Sequence, residues 1–188
     1  MINIAVIYYS GFGHTKEQAL AVCKGVESIK KVNVFSYSVE ELTDDLSELE
    51  NMDACIFGSP TYMGSVAAPF KKFMDNTSRI WAQRRWEDKI AAGFTNSHSF
   101  CGDKLNTLMQ MIVFAMQHGM VWVGQAEMNK SIMHENGSPK SVNRLGSFLG
   151  AMAQSENDDP SLTPPSGDLL TARKLGERVA KMALRLKG

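Results

Sequence analysis

Three short stretches of this sequence combine residue types that can hold and orient a ligand. The first is Tyr8-Tyr9-Ser10-Gly11-Phe12-Gly13-His14-Thr15. It follows an apolar, β-branched run and precedes an amphipathic one, so it reads as a strand-to-helix junction. Such a junction aims backbone N–H groups and the positive end of a helix dipole at one point. Gly11 and Gly13 permit a tight wrap, and Ser10 and Thr15 add hydroxyl donors. That is a cradle for a phosphate needing neither lysine nor arginine. His14 adds a charge-assisted bond or, equally, caps the helix and faces solvent. The plainer alternative is a Gly-Ser turn with a helix cap and no ligand. G-x-x-x-x-G-K-[ST] is absent, which excludes a P-loop here. Lys16 stands where a dinucleotide fingerprint needs its third glycine, which counts against that site.

The second stretch is Gly58-Ser59-Pro60-Thr61-Tyr62-Met63-Gly64-Ser65. A residue before proline and two glycines force an irregular path just past a strand. Thr61, Tyr62 and Met63 then present backbone amides and one aromatic ring, a combination suited to a planar ring system with a polar edge. An ordinary loop with Tyr62 in a local cluster is the alternative. The third stretch, Thr95-Asn96-Ser97-His98-Ser99-Phe100-Cys101-Gly102, is a polar turn ahead of a helix. In doubly wound folds, loops of this kind share the carboxyl rim of the sheet, where ligands bind.

The elements that must position these loops alternate along the chain. Ile2 to Ser10 reads as a strand buried on both faces, and 13–29 as a helix with Ala19, Val22, Cys23 and Val26 on one stripe. Val32 to Tyr37 is a more polar strand, expected near a sheet edge. Ser38 to Glu50 is helix-prone, with Leu42, Leu46 and Leu49 on one face. Asp53 to Ser59 is a strand. Val66 to Trp81 is predicted as one helix, with Pro69 in its first turn. Lys89 to Thr95 is a strand whose Ala91, Ala92 and Gly93 allow close helix packing. Asp103 to Gln117 is a helix with Leu105, Leu108, Met109, Ile112, Val113 and Met116 as its buried face. Val121 to Val123 opens a fifth strand, and Leu169 to Leu186 is a final amphipathic helix with basic residues toward its end. This alternation predicts a parallel sheet with helices on both faces.

At 188 residues the chain suits one domain over 1–188. Residues 125–165 break the pattern as a long irregular insertion rich in Gly, Ser, Asn and Pro, with only Arg144 to Met152 helix-prone. Insertions of this length are functional, interfacial or disordered; the expectation is ordering against a neighbouring subunit. Apolar residues are 44% and charged residues 21%, a globular balance. Twenty basic and twenty acidic side chains cancel, giving no global field for direct nucleic-acid or membrane binding. Cys23, Cys55 and Cys101 suggest neither a disulfide framework nor a zinc site, and no metal is expected. The start Met1-Ile2-Asn3-Ile4 has no signal-peptide pattern, and no apolar run approaches the ~18 residues of a membrane span. A soluble, cytoplasmic protein is expected.

The segments YYSGFGHT (8–15), FGSPTYMGSVAAPFKKFMD (57–75), Trp81 and HGM (118–120) resemble those of WrbA-type NAD(P)H:quinone oxidoreductases, a branch of the flavodoxin-like superfamily. The likeness runs from Asn3 to the last helix. It implies a flavodoxin-like α/β fold, doubly wound, with five parallel strands in order 2-1-3-4-5. It implies non-covalent FMN, NAD(P)H as co-substrate, quinones as acceptors, a two-electron ping-pong reaction and a homodimer or homotetramer. Ser10, Phe12, Gly13, His14 and Thr15 would form the phosphate loop. Pro60, Thr61, Tyr62, Met63 and Gly64 would edge and cover the ring, with Thr95, Asn96, Ser97, His98 and Gly102 on its other side. Trp81 matches an aromatic of the site, and His118 a histidine near the ring, often across a subunit interface; it is the best candidate proton source.

The residues themselves leave plainer readings open. His118 followed by Gly119 also reads as a helix-end dipole partner and cap, and Trp81 as core. Cys101 is a spectator thiol or a thiolate at a helix start. Arg84-Arg85 reads as a solvated loop, and Met109, Met111 and Met116 as core filler. The sequence departs from the family at His98, Phe100 and Cys101, where glycines are usual, and at Pro60-Thr61-Tyr62-Met63, which lacks an arginine. A one-electron flavodoxin-type carrier and a non-catalytic FMN-binding regulatory protein are the competing classes. Oxidation of NADH or NADPH with benzoquinone separates an enzyme from both.

Overall fold

The computed structural model describes residues 1–42, 45–129 and 138–188. Strands β1 (Ile2–Tyr8), β2 (Val32–Ser38), β3 (Ala54–Tyr62) and β5 (Ile90–Ser97) pair in parallel. Their β-branched and small residues alternate between the two sheet faces. Ile4 and Val6 join one core, while Ala5 and Ile7 of the same strand join the other. The first core packs under α1 (His14–Glu27) and α5 (Ser166–Lys187) through Val22, Val26, Leu175 and Val179. The second packs under α2 (Ala68–Asn76), α3 (Ser78–Ala82) and α4 (Lys104–Gln117) through Phe70, Ile80, Leu108 and Phe114. A fully buried side chain such as Phe57 or Leu108 contributes ~1.5–3 kcal/mol.

The sheet differs in detail from the five-strand 2-1-3-4-5 expectation. Among the described residues it has seven strands: five along the path β2-β1-β3-β5-β6, where β6 is Val121–Trp122, with β4 (Ser65–Val66) antiparallel to β3 and β7 (Ala151–Gln154) also on β5. The place beyond β5 is shared. β6 (Val121–Trp122) pairs with Ile90–Ala91 at one end, and β7 with Phe94–Ser97 at the other. The insertion leaves the sheet between them. Thus Arg144 to Met152 is no helix; it turns and enters β7, because Gly150 must lie against the Gly93 carbonyl, closer than any Cβ allows.

The described parts of the insertion bond to their own chain. Gln125 Nε2 donates to Thr171 O, and Asn143 Nδ2 to Glu127 O. The predicted Ser38 to Glu50 helix is reduced to a 3-10 turn, Ser47–Asn51, with 43–44 outside the described residues. Ser38 and Asp45 side chains accept bonds from nearby backbone N–H groups, the local competition that disfavours helix. The predicted 66–81 helix is two helices. Thr77 divides them, its Oγ1 bonding back to Met74 O and across to His118 Nε2. Helix α4 buries Leu108, Met111, Phe114 and Ala115, whereas Leu105, Met109, Val113 and Met116 stay exposed.

Candidate functional site

Strand β1 ends at Tyr8, and the loop to α1 crosses the carboxyl edge of the sheet. Gly13 precedes the helix with φ +92°, a left-handed conformation open to glycine and costly for L side chains. A Cβ there would also lie 2.6 Å from Pro160 Cγ. The N-cap residue, Gly13, offers no side chain to cap this helix end. The first helical turn has no carbonyl of its own for its N–H groups. That of Lys16 reaches Ser10 Oγ at 3.1 Å, and His14 and Thr15 line a cleft with Ser10, Gly11 and Phe12. The His14 ring bonds Asp158 O through Nε2 at 2.8 Å.

The facing wall comes from β3 and β5. Pro60, Thr61 and Tyr62 line the cleft from one strand end, and Asn96, Ser97 and His98 from the other. Tyr62 stands edge-on to Phe12, ring centres 6.4 Å apart. Burial raises the Tyr62 phenol above its ordinary range, so it stays a neutral donor at pH 7. Below the wall, Thr61 Oγ1 bonds both Thr95 Oγ1 and Thr107 Oγ1 at 2.8 Å, tying β3, β5 and α4 together in a buried hydroxyl cluster. Met63 (φ +49°) and Gly64 (φ +74°) are the two-residue tip joining β3 to β4, the pair of left-handed residues that tight hairpins require.

The structure brings Ser10, Phe12, His14, Thr15, Pro60, Thr61, Tyr62, Asn96, Ser97 and His98 to one cleft. Gly13 and Thr95 are not among the cleft-lining residues; Gly13 is the N-cap of α1, and Thr95 bonds the cleft residue Thr61. Met63, fully exposed, and Gly64 sit outside at the hairpin tip. Gly102 is a support: with φ +54°, it approaches Ser97 Oγ too closely for any Cβ. Trp81 is half-exposed on α3, neither core nor cleft wall. His118 is not brought to this cleft either. It follows the last residue of α4, ~20 Å along the helix from the cleft end. There it is buried between Trp86 and Phe114 and held by Thr77. Burial lowers its pKa to about 4, and it is neutral at pH 7. It also caps no dipole as a cation.

Three cleft residues were not anticipated individually: Ser155, Glu156 and Asn157, which follow β7. Only the polar character of the insertion hinted at them. Ser155 Oγ donates to Asn96 Oδ1, and its N–H to Ser97 O. Also missed was a buried ion pair. Arg144 grips both oxygens of Asp168 at 2.8 Å, and Asp168 accepts from Gln154 N, while Gln154 Nε2 donates to His98 O. Arg144 also lies over the Phe100 ring, 5.4 Å from its centre. The pair thus fastens the insertion, α5 and the 98–100 loop together.

The chain is similar to known proteins over its whole length. Residues 20–134 match the family model for NADPH-dependent FMN reductase. A protein of Pseudomonas aeruginosa (strain UCBPP-PA14) named Flavodoxin FldP is 42% identical over 188 residues, covering 99% of each chain. A protein of Archaeoglobus fulgidus named NAD(P)H dehydrogenase (quinone) is 32% identical, covering 99% of this chain and 100% of that one. The crystal structure of a flavodoxin, WrbA-like protein from Agrobacterium tumefaciens superposes with a TM-score of 0.75 at 37% identity. It covers 98% of this chain and 99% of the other.

Proposed function

The chain belongs to the NADPH-dependent FMN reductase family, in its WrbA-type flavodoxin-like branch, and from that premise we propose that it is an FMN-dependent NAD(P)H:quinone oxidoreductase. The cofactor is non-covalent, with its phosphate on Ser10–Thr15 and its ring between Tyr62 and the 96–98 strand end. Bound FMN supplies two-electron transfer, from NAD(P)H in one half-reaction and to a quinone in the other.

The residues present fit such a group. The observation that carries the reading is the start of α1: left-handed Gly13 gives no side-chain cap, and Ser10 and Thr15 line the cleft beside it, where a dianion would meet the first-turn N–H groups. Phe12 and Tyr62 give the ring an aromatic wall, and their exposure leaves room for a second planar molecule. Asn96, Ser97 and His98 line the opposite, polar side. No cleft side chain is required as an acid or base, and His118 is given no proton role.

Loading the purified protein with FMN and recording its visible spectrum tests the cofactor. Steady-state oxidation of NADH and NADPH with benzoquinone then tests the reaction. Protein that stays colourless with excess FMN would sink both. One observation favours a second reading: the relative at 42% identity bears the name flavodoxin, whereas the quinone dehydrogenases stand at 29–32%. A one-electron carrier would take electrons from a reductant in two separated steps and show no turnover with quinone.

We further propose self-association through α4. Leu105, Met109, Val113 and Met116 recur at helical spacing on its solvent face. An exposed apolar stripe of this kind is the signature of a covered interface.

A further inference from the structure

We infer that Lys104 is a positioning residue, acting through Ser97, that stabilises negative charge on the reduced cofactor. The inference rests on the FMN reading above. Lys104 is the first residue of α4, and its side chain is wholly buried. Its Nζ donates to Ser97 Oγ at 2.8 Å and to Ser99 O at 2.7 Å. Ser97 is part of the cleft wall. The ammonium therefore sits one hydrogen bond behind the ligand.

The local backbone is arranged for this contact. Gly102 and Asp103 are consecutive left-handed residues, φ +54° and +53°, which fold the Lys104 stem back under the 97–99 turn. Gly102 is obligatory beside Ser97, where a Cβ would overlap the hydroxyl. Ser99 O accepts from both Lys104 Nζ and the Ser97 hydroxyl, the latter at 3.0 Å, so the three groups form one closed cluster behind the cleft wall.

The charge balance makes the placement costly unless a ligand answers it. The charged and titratable groups around Lys104 are Asp168 from α5, Arg144 from the insertion and Cys101 from the preceding loop. Asp168 is already gripped by Arg144, so that pair is neutral and one buried cation remains. It also stands at a helix N-terminus, where the dipole is unfavourable to a cation. Desolvation lowers its pKa to about 8, which leaves it charged at neutral pH. Nothing in packing alone asks for an ammonium here. An electronegative ring edge on the other side of Ser97 does, and more strongly once that ring is reduced.

The test uses Lys104→Met, which keeps the apolar stem, and Lys104→Arg, which keeps the charge. Dissociation constants for oxidised FMN come from fluorescence quenching, and the midpoint potential of bound FMN from equilibration with redox dyes. The expected result is near-normal affinity of Lys104→Met for oxidised FMN with at least a tenfold relative loss for the reduced form. For a two-electron couple that is a potential lower by about 30 mV. Lys104→Arg keeps most of the wild-type potential. Ser97→Ala serves if Lys104→Met does not fold, and shifts the potential the same way.

As pH rises through 8, the wild-type potential falls more steeply than that of Lys104→Met, because the ammonium is being lost. FMN bound by Lys104→Met at unchanged potential overturns the inference and leaves the cofactor reading standing. Wild-type protein that binds no FMN overturns both.

Discussion

Replacing His118 by Gln should remove a specific weakness in acid. His118 is 3% exposed, packed against Trp86 and Phe114, with Nε2 on Thr77 and no partner for Nδ1 among the described residues. Burial without a counter-charge lowers its pKa from 6.5 to about 4. The unfolded chain therefore takes up a proton below pH 6.5 that the folded protein refuses until about pH 4. Stability from the neutral ring is full above pH 6.5 and is lost progressively as pH falls between those values. At 1.36 kcal/mol per unit, the loss is about 2 kcal/mol by pH 5 and about 3 kcal/mol by pH 4. Glutamine reaches the Thr77 hydroxyl with an amide and does not titrate. Urea unfolding followed by far-UV circular dichroism at pH 7.5, 6, 5 and 4.5, with FMN at one fixed concentration, should show the two proteins converging as pH falls. Parallel pH profiles would refute the buried-neutral assignment. Quinone reduction by His118→Gln at pH 7 should survive, since the residue lies far from the cleft.

Other substitutions probe the cleft, the ion pair and the exposed stripe. Gly13→Ala forces an L side chain to φ +92° and against Pro160; at ~1–2 kcal/mol of strain it should weaken FMN binding about tenfold, read by fluorescence titration. Arg144→Met leaves Asp168 buried and unpaired, and should cost ~3–5 kcal/mol in urea unfolding. Adding Asp168→Asn should recover part of that loss. Val113→Asp puts a charge in the middle of the α4 stripe, and light scattering should show a smaller assembly with the fold intact.

Most of the strand-helix alternation was legible because each core strand is buried on both faces and punctuated by glycine or proline. β1, β3 and β5 are continuous apolar or small-residue runs, and only a parallel sheet with two helical layers buries such runs. The tight strand-to-helix turn at Ser10-Gly11-Phe12-Gly13 was legible for a related reason: it is constrained by backbone geometry, which local sequence reports. What escaped depends on distant partners. Thr77 breaks a helix because His118 stands across from it, 41 residues away. Arg144 and Asp168 are 24 residues apart with no shared pattern. Helix α4 is apolar on two sides, so periodicity could not say which set, Leu105 and Met109 or Leu108 and Met111, would face the core. His118 matched its family segment, but a segment match does not report that the residue is buried at the far end of α4 from its own chain's cleft.

The edge of β5 is completed in two instalments. Val121–Trp122 reaches it soon after α4, on the half away from the cleft, whereas the half beneath the cleft waits for Ala151–Gln154. The wall at 155–157 and the clamp from Asp168 come later still, and α5 must then close over α1. As the chain emerges from the ribosome, amino end first, its earliest loop is made before the residues that form the far wall of the same cleft. The cleft is thereby complete only when residues from the first loop to the start of the final helix have come together.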